Sequence, residues 1–358
     1  MPKPDSLGDQ RMRALAAELP SALQQGFAWG RELSVPNGEG SPRVYAVGMG
    51  GSGIAADLAR GIVESETRWS LSVVRGPELP RSVDDRSTAI FVSYSGNTWE
   101  TVRAYEVAGR AGARRTVIAS GGALAEQAEA DGVPILRIPP GLPPRSAVGH
   151  MLGGILGLLD SAFPESNEAR VERVADRVRT VIGQYGRASG PAAALAEGIG
   201  DRLPFVYAES GFLALARRWK TQIEENAKRV AAFDEVPELF HNSLVGWDAT
   251  GRTEASRLAV VLLEWVGEDP AVGRSLRYLE RLLRVRSVRV LKAPLSSEDR
   301  LEALVGGISL GDFTSLFLAG RRRVDPYPVD AITRLKSALA TSADARPAKR
   351  TAPTRRAR

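Results

Sequence analysis

Residues 43–59 have the sequence RVYAVGMGGSGIAADLA, in which a short apolar run leads through a glycine-rich turn into a helical pattern. Residues 48–53 are called the glycine loop below. Glycines at these positions let the backbone approach an anion closely. The unpaired amides and the dipole of the following helix attract negative charge. The stretch predicts an α/β fold with an anion site at the end of its first strand.

The same alternation of short apolar runs and helix-length segments continues along both halves of the chain. The runs lie at 43–49, 71–76, 88–95, 114–120 and 134–139, and again at 203–210, 257–265 and 287–294. This order is typical of βαβ units, whose strands form mostly parallel sheets. We predict an α/β protein with two tandem doubly wound domains, each a mostly parallel sheet flanked by helices.

Changes of pattern and composition set the expected boundaries. We predict an N-terminal helical segment at 1–40, a first domain at 41–145, bridging helices at 146–190, a second domain with a C-terminal helix at 191–340, and a basic disordered tail at 341–358. From Ala343 onward there are six basic residues and one acid, so the tail holds most of the formal net charge of +6. It lacks aromatic residues for base stacking, which argues against nucleic-acid binding.

The composition excludes several kinds of site. The 358 residues include no cysteine and only two histidines, His150 and His241. Disulfides, thiolate nucleophiles, cysteine-ligated metals and three-histidine metal sites are therefore excluded. We find neither the apolar region of a signal peptide nor a stretch of roughly 20 apolar residues that would span a membrane. We expect a cytoplasmic protein without a membrane partner or a bound metal.

The glycine loop also satisfies G-x-G-x-x-G, the fingerprint of dinucleotide-binding folds. That interpretation requires an acidic residue about 20 positions further on to hold a ribose hydroxyl. The sequence there is VVR at 73–75. Arg75 leaves a 2′-phosphate version open, but a nicotinamide cofactor is the weaker interpretation.

A cluster of hydroxyls follows the next long strand, in FVSYSGNTWET at 91–101. Ser93, Ser95 and Thr98 precede a helix expected to begin near Thr98. Three hydroxyls and free helix amides can hold one phosphate, although serine and threonine in this place can also simply cap the helix. Together with the glycine loop, they indicate a small-ligand site at the carboxyl edge of the first sheet.

Gly51-Ser52 and the segment from Ser93 to Thr98 closely resemble the sugar isomerase (SIS) domain, whose strand-end S-x-S-G-x-T loop binds the phosphate of a sugar phosphate. Two such domains in tandem resemble the bifunctional phosphoglucose/phosphomannose isomerases, over about residues 40–337. The resemblance implies cofactor-free interconversion of glucose 6-phosphate or mannose 6-phosphate with fructose 6-phosphate through a cis-enediol. The implied phosphate ligands are Gly51, Ser52, Ser93, Ser95 and Thr98.

Aldose–ketose isomerisation needs a base that carries a proton between C1 and C2. Lys220, Glu224 and Lys228 are spaced four residues apart, as in an ion-pair ladder on an exposed helix face, so we interpret Glu224 as structural. Glu225 lies about 100° further round the helix and can face a different environment. A second solvated glutamate is the alternative. The resemblance implies that Glu225, in Glu225-Asn226-Ala227-Lys228, is the base.

The segment DEVPELFHNSLVGW contains His241 and shows little periodicity. A lone histidine beside apolar residues is more often a bystander than a catalyst. The segment is, however, similar to the family's E-x-x-H-N-x-x-V-G-W stretch. The similarity implies that His241 opens the sugar ring, that it reaches the active site of a neighbouring subunit, and that the protein is a homodimer.

Arg145 begins the bridging helices, where its charge opposes the helix dipole and so does not serve as a cap. Its P-R-x-A context resembles the family's enediolate-stabilising arginine. DPYPVDAITRLK at 325–336 is similar to the family's closing segment and implies that Lys336 lies near the ring oxygen. Tyr327 stands where these enzymes often have a smaller residue, so the preference between glucose and mannose stays open. His150 has no matched role and is interpreted as a packing residue.

Two other functions fit parts of the pattern. A non-catalytic sugar-phosphate regulator would keep the phosphate loop, but Arg145, Glu225, His241 and Lys336 together argue against it. An amino-sugar phosphate isomerase would share the same phosphate loop. The E-N-A-K and H-N-S-L-V-G-W segments favour the neutral hexoses.

Overall fold

The computed structural model describes residues 7–33 and 43–343. The chain begins with helices α1 (Leu7–Ala17) and α2 (Leu19–Glu32). The N-terminal segment predicted as helical at 1–40 contains two helices, because Pro20 lies at the start of α2, where its missing N–H is tolerated, and cannot continue the hydrogen bonds of α1. The predicted disordered tail falls largely on 344–358, outside the described residues.

The first sheet is parallel throughout and has the strand order β2-β1-β3-β4-β5. Its strands are β1 (Arg43–Val47), β2 (Ser70–Val74), β3 (Ser87–Val92), β4 (Arg114–Ala119) and β5 (Ile135–Arg137). Its helices are α3 (Gly50–Glu66), α4 (Trp99–Arg110) and α5 (Gly122–Ala130). The chain order reverses between β1 and β3, and open α/β sheets bind ligands at the carboxyl ends of such a strand pair.

The bridging segment consists of a 3-10 turn (Pro144–Ala147), α6 (Val148–Leu158), a second 3-10 turn (Asp160–Ala162), α7 (Glu168–Tyr185) and α8 (Pro191–Ile199). Helix α6 packs closely against α2. A Cβ atom at Gly153 or Gly157 would lie 2.2 Å from a backbone carbonyl oxygen of α2, so only glycine fits at these two positions.

The second sheet is also parallel, with the order β7-β6-β8-β9. Its strands are β6 (Leu203–Glu209), β7 (Ala232–Val236), β8 (Leu258–Trp265) and β9 (Arg289–Leu295). The helices here are α9 (Leu213–Ala227), α10 (Ser243–Ala249), α11 (Arg252–Ala255), α12 (Pro270–Val285), α13 (Arg300–Arg322) and α14 (Asp330–Ala343), with 3-10 turns at Ser210–Phe212 and Glu238–His241. The predicted α/β class with parallel, helix-flanked sheets is confirmed.

One strand differs from the prediction. No strand was predicted between the runs at 203–210 and 257–265, but helix α9 ends at Ala227, because Lys228 adopts the left-handed conformation (φ 53°), and β7 begins at Ala232. Lys228 therefore does not extend the predicted ion-pair ladder, although Lys220 and Glu224 do pair. Strand β7 has the sequence AFDEV, which lacks the alternation of a half-buried strand.

The two sheets share one core. Helices α2, α3, α6, α7, α8, α9 and α13 and the inner faces of both sheets contribute to one continuous apolar cluster, while each outer face has a smaller cluster of its own. Helix α13 is long and apolar enough to cross a membrane by length and composition, which the sequence analysis missed. Of its most apolar window, 83% is buried, as in a core helix. The bounds 41–145 and 191–340 stay a prediction.

Candidate active site

The carboxyl ends of β1 and β3 bring the glycine loop and the hydroxyl cluster together. The Ser52 hydroxyl, in the first turn of α3, accepts a hydrogen bond from the Tyr94 amide at 3.2 Å. The Ser93 hydroxyl donates to Thr98 Oγ1 at 3.3 Å. The hydroxyls of Ser52, Ser93 and Thr98 therefore lie within one small area between the N-termini of α3 and α4, where helix dipoles favour an anion.

The loop after β3 has a fixed shape. Gly96 has φ +65°, and a Cβ atom there would lie 1.8 Å from the Gly121 carbonyl oxygen, so the position requires glycine. The Ser95 hydroxyl accepts from the Asn97 amide at 3.3 Å. Thr98 is the residue that precedes α4, but its side chain makes no capping bond to the described first turn of that helix. Capping alone therefore does not account for Thr98.

Arg75 supports the glycine loop from its own side. Its Nη2 atom donates to the Gly53 carbonyl at 3.1 Å and also contacts Asp57. The arginine on which a 2′-phosphate version of a dinucleotide site would depend is thus engaged with the loop itself.

Arg145 lies next to the glycine loop and is 3% exposed. A Cβ atom at Gly51 would lie 3.5 Å from the Arg145 Cα atom, which is ordinary contact. The Arg145 Nε atom donates to Asn226 Oδ1 at 2.9 Å, and Nη2 donates to the carbonyls of Pro326 at 2.8 Å and Tyr327 at 3.1 Å. Two separate parts of the chain therefore fix this guanidinium.

Glu225 is the carboxylate beside that guanidinium. Its Oε2 atom lies 3.4 Å from Arg145 Nη1, and its side chain is 29% exposed. Burial lowers the pKa of Arg145 from its ordinary value, and the Glu225 carboxylate opposes this shift. A cation and a base with a solvent-accessible face are thus adjacent, the pairing that proton transfer next to a developing oxyanion needs.

Lys228 closes the end of α9 beside Glu225. Its Nζ atom donates to the carbonyls of Pro328 at 2.6 Å, Pro326 at 3.3 Å and Glu225. Burial lowers the pKa of Lys228, and the positive charge of Arg145 lowers it further. A cavity of about 520 Å³ opens here between the end of α9 and the start of α14, and Glu225 and Lys228 line it.

Sequence analysis missed the buried polar residues that hold Arg145. Asn226 is fully buried, and its Nδ2 atom donates to Ser315 Oγ at 2.8 Å. Arg218 donates to the Arg145 carbonyl at 3.2 Å and to Asp312 Oδ2 at 2.6 Å. Asp312 is the only acid within the apolar middle of α13, and a buried charge requires a partner. That isolated acid was the available signal.

His241 and Lys336 are not bonded to this group. Both are exposed, His241 at the end of a 3-10 turn and Lys336 on α14. Within 7–33 and 43–343, no hydrogen bond or ion pair joins either side chain to Arg145 or Glu225. His150 is buried in α6 and stacks on Trp29 with ring centroids 5.7 Å apart.

Comparisons with known proteins find relatives of this chain. The family model described as "Bacterial phospho-glucose isomerase C-terminal SIS domain" matches residues 188–339. A bifunctional phosphoglucose/phosphomannose isomerase of Caldicellulosiruptor bescii is 33% identical over 334 residues, which cover 91% of this chain and 98% of the relative. One from Aquifex aeolicus is 32% identical over 294 residues, covering 82% and 88%.

A solved structure shares the fold at lower identity. The tagatose-6-phosphate ketose/aldose isomerase from Escherichia coli has a TM-score of 0.68 and 19% identity, over 92% of this chain and 98% of that one. At this identity the likeness concerns the fold.

Proposed function

The chain belongs to the bifunctional phosphoglucose/phosphomannose isomerase family, and from that premise we propose that it interconverts fructose 6-phosphate with glucose 6-phosphate and mannose 6-phosphate. The observation that carries the proposal is the 3.4 Å contact between Glu225 and the buried Arg145, beside the glycine loop. Ring opening, proton transfer and charge stabilisation require no redox group.

In the proposed reaction, Ser52, Ser93, Ser95 and Thr98, with the Gly51 backbone, hold the phosphate. Glu225 removes the C2 proton of the open-chain aldose, the electrons of that C–H bond form the C1=C2 bond, and the π electrons of the C1=O1 bond move to O1, which gives a cis-enediolate and, once O1 is protonated, a cis-enediol. The proton then returns from Glu225 to C1 as the C1=C2 bond breaks and the C2=O2 carbonyl forms, so that in the net reaction one hydroxyl proton passes from O2 to O1. General base catalysis of this kind contributes about 10²- to 10⁴-fold.

Arg145 stabilises the negative charge that develops on the enediolate oxygen. Its other donors are already held by Asn226 and by two carbonyls, so the guanidinium needs little reorganisation as the charge appears. His241, helped by Lys336, opens the pyranose ring before the proton transfer.

The test is a coupled assay of chelator-treated protein with fructose 6-phosphate, in which glucose 6-phosphate and mannose 6-phosphate are followed separately. We expect both products, without loss after chelation, since the proposed groups are all side chains. Formation of only one of the two products would limit the reaction to that epimer and would point to Tyr327 as the residue that sets the preference. Binding of fructose 6-phosphate in calorimetry without any turnover would favour a non-catalytic sugar-phosphate regulator. Turnover of glucosamine 6-phosphate alone would favour an amino-sugar phosphate isomerase.

We also propose a homodimer in which His241 completes the site of the neighbouring subunit. The exposed position of His241, which makes no bond to Arg145 or Glu225 within the described residues, supports this arrangement. Large apolar side chains near it and on α14 are exposed as well, at Val245, Ile332 and Leu335. Exposed apolar groups of this kind are often covered in an assembly.

A shared site predicts complementation between two inactive variants. His241→Ala and Glu225→Gln chains carrying different tags are co-expressed, and the hybrid dimer is purified. One of its two sites then receives both intact residues, so we expect about half of the wild-type turnover per dimer. Each variant homodimer serves as the control. A hybrid no more active than its parents would contradict the shared site.

A cytoplasmic location is part of the proposal, supported by a sequence without cysteine, which suits a reducing compartment. A reaction that connects an aldose phosphate to fructose 6-phosphate serves glycolysis in one direction and gluconeogenesis in the other.

A further inference from the structure

Asp57 is a buried carboxylate that the proposed reaction does not use. It lies on α3, is 4% exposed, and contacts three arginines. Arg75 Nη2 donates to Asp57 Oδ2, Arg217 Nη1 lies 3.3 Å from the same oxygen, and Arg60 Nη2 lies 4.0 Å from Oδ1. One negative charge is therefore shared by three positive charges.

Two of these arginines link Asp57 to elements of the candidate site, the glycine loop and helix α9. Arg75 donates to the carbonyl of Gly53 in the glycine loop. Arg217 belongs to α9 and precedes Glu225 by about two helical turns. Its guanidinium also lies over the ring of Phe233 in β7, 5.3 Å from the centroid. Asp57 thus connects the loop of the first sheet to the helix that carries the proposed base.

The local charges make the connection depend on the carboxylate. Burial lowers the pKa of Arg217, the positive charge of Arg75 lowers it further, and Asp57 opposes both effects. Without the Asp57 charge, the guanidinium groups would repel one another across the boundary between loop and helix. The loop and α9 would then lose their common partner.

Resting on the proposed function, we propose that Asp57 is a positioning residue that couples the phosphate-binding glycine loop to α9 and so sets where Glu225 stands relative to the bound sugar phosphate. Arg75 makes the contact between Asp57 and the loop, and Arg217 makes the contact between Asp57 and the helix. Asp57 itself touches no reacting atom.

The first experiment is Asp57→Asn in the full chain, assayed with fructose 6-phosphate beside the wild type. We expect kcat to fall on the order of tenfold or more, because displacement of a catalytic group by about 1 Å can cost 10²-fold. Turnover by the wild type in the same assay tests the proposed function separately. If the wild type turns over and Asp57→Asn retains its kcat, the coupling is wrong.

Variants of one arginine at a time separate the coupling role from phosphate binding by the glycine loop. Arg217→Met should lower kcat while the calorimetric Kd for inorganic phosphate stays within about threefold of wild type, and Arg217→Lys should restore part of the loss. Arg75→Met should lower kcat and also weaken phosphate binding. Combining Arg75→Met with Arg217→Met should lower kcat little beyond the lower single variant, since both break one connection. Additive losses would overturn the proposal.

Arg170 supplies a matched control for simple loss of an ion pair. It joins Glu66, at the other end of α3, to Asp299 at the start of α13, with Nη2 2.7 Å from the aspartate oxygen. Arg170→Met should lower the thermal midpoint without changing kcat. If Arg170→Met and Asp57→Asn lower kcat equally, Asp57 has only a structural role.

Discussion

Glu225→Gln is expected to lower kcat for fructose 6-phosphate by about 10²- to 10⁴-fold with little change in KM, because an amide cannot accept the proton that moves between C2 and C1. Glutamine keeps the shape of the side chain and retains an oxygen that can accept from Arg145 Nη1. The measurement is steady-state turnover in the coupled assay, with phosphate binding followed by calorimetry.

The adjacent Glu224 gives a matched control for this result. It pairs with Lys220 on the surface of the same helix and has a similar exposure. Glu224→Gln changes the charge of α9 by the same amount, and we expect kcat to stay within about threefold, since exposed pairs contribute little. An equal loss of kcat in the two variants, or a fully active Glu225→Gln, would show that Glu225 is not the base.

Arg145→Lys is expected to lower kcat by about 10²- to 10³-fold, the usual effect of losing one donor that stabilises an oxyanion. Lysine keeps the positive charge but cannot reach Asn226, Glu225 and the carbonyls of Pro326 and Tyr327 with one planar group. The buried carbonyls would lose their donor, so the thermal midpoint should fall as well.

Calorimetry with inorganic phosphate controls for a disrupted fold. A retained Kd for phosphate would show that the loops around Ser52 and Ser93 are intact in Arg145→Lys. Turnover within about threefold of wild type, measured on such a folded variant, would contradict charge stabilisation by Arg145.

Local patterns predicted much of the fold. The glycine loop after β1 and the hydroxyls that follow β3 depend on short stretches of chain, and the sequence displays them directly. Strand β7 was missed because AFDEV has neither alternation nor an apolar run, and its place beside β6 depends on tertiary pairing.

The candidate site was less accessible to such reasoning. Arg145 and Glu225 stand 80 positions apart, and no periodicity in the sequence brings them together. Asn226 and Asp312 are both buried and hydrogen-bonded around Arg145 and Arg218, and only the isolated position of Asp312 in an apolar helix gave a signal of this in the sequence. Their roles arise from the packing of α9 against α13, which the pattern of either helix alone does not contain.

The apolar sequence of helix α13 and its late position in the chain have a consequence for synthesis on the ribosome. A polypeptide leaves the ribosome from its N-terminus, so the apolar segment 300–322 emerges late. By then the helices on which it packs, α7, α8 and α9, have already been synthesised. Of the described helices, the one that could span a membrane by length and composition is therefore made after the helices that bury it. This order shortens the time for which the apolar segment is exposed on the nascent chain to targeting factors and chaperones.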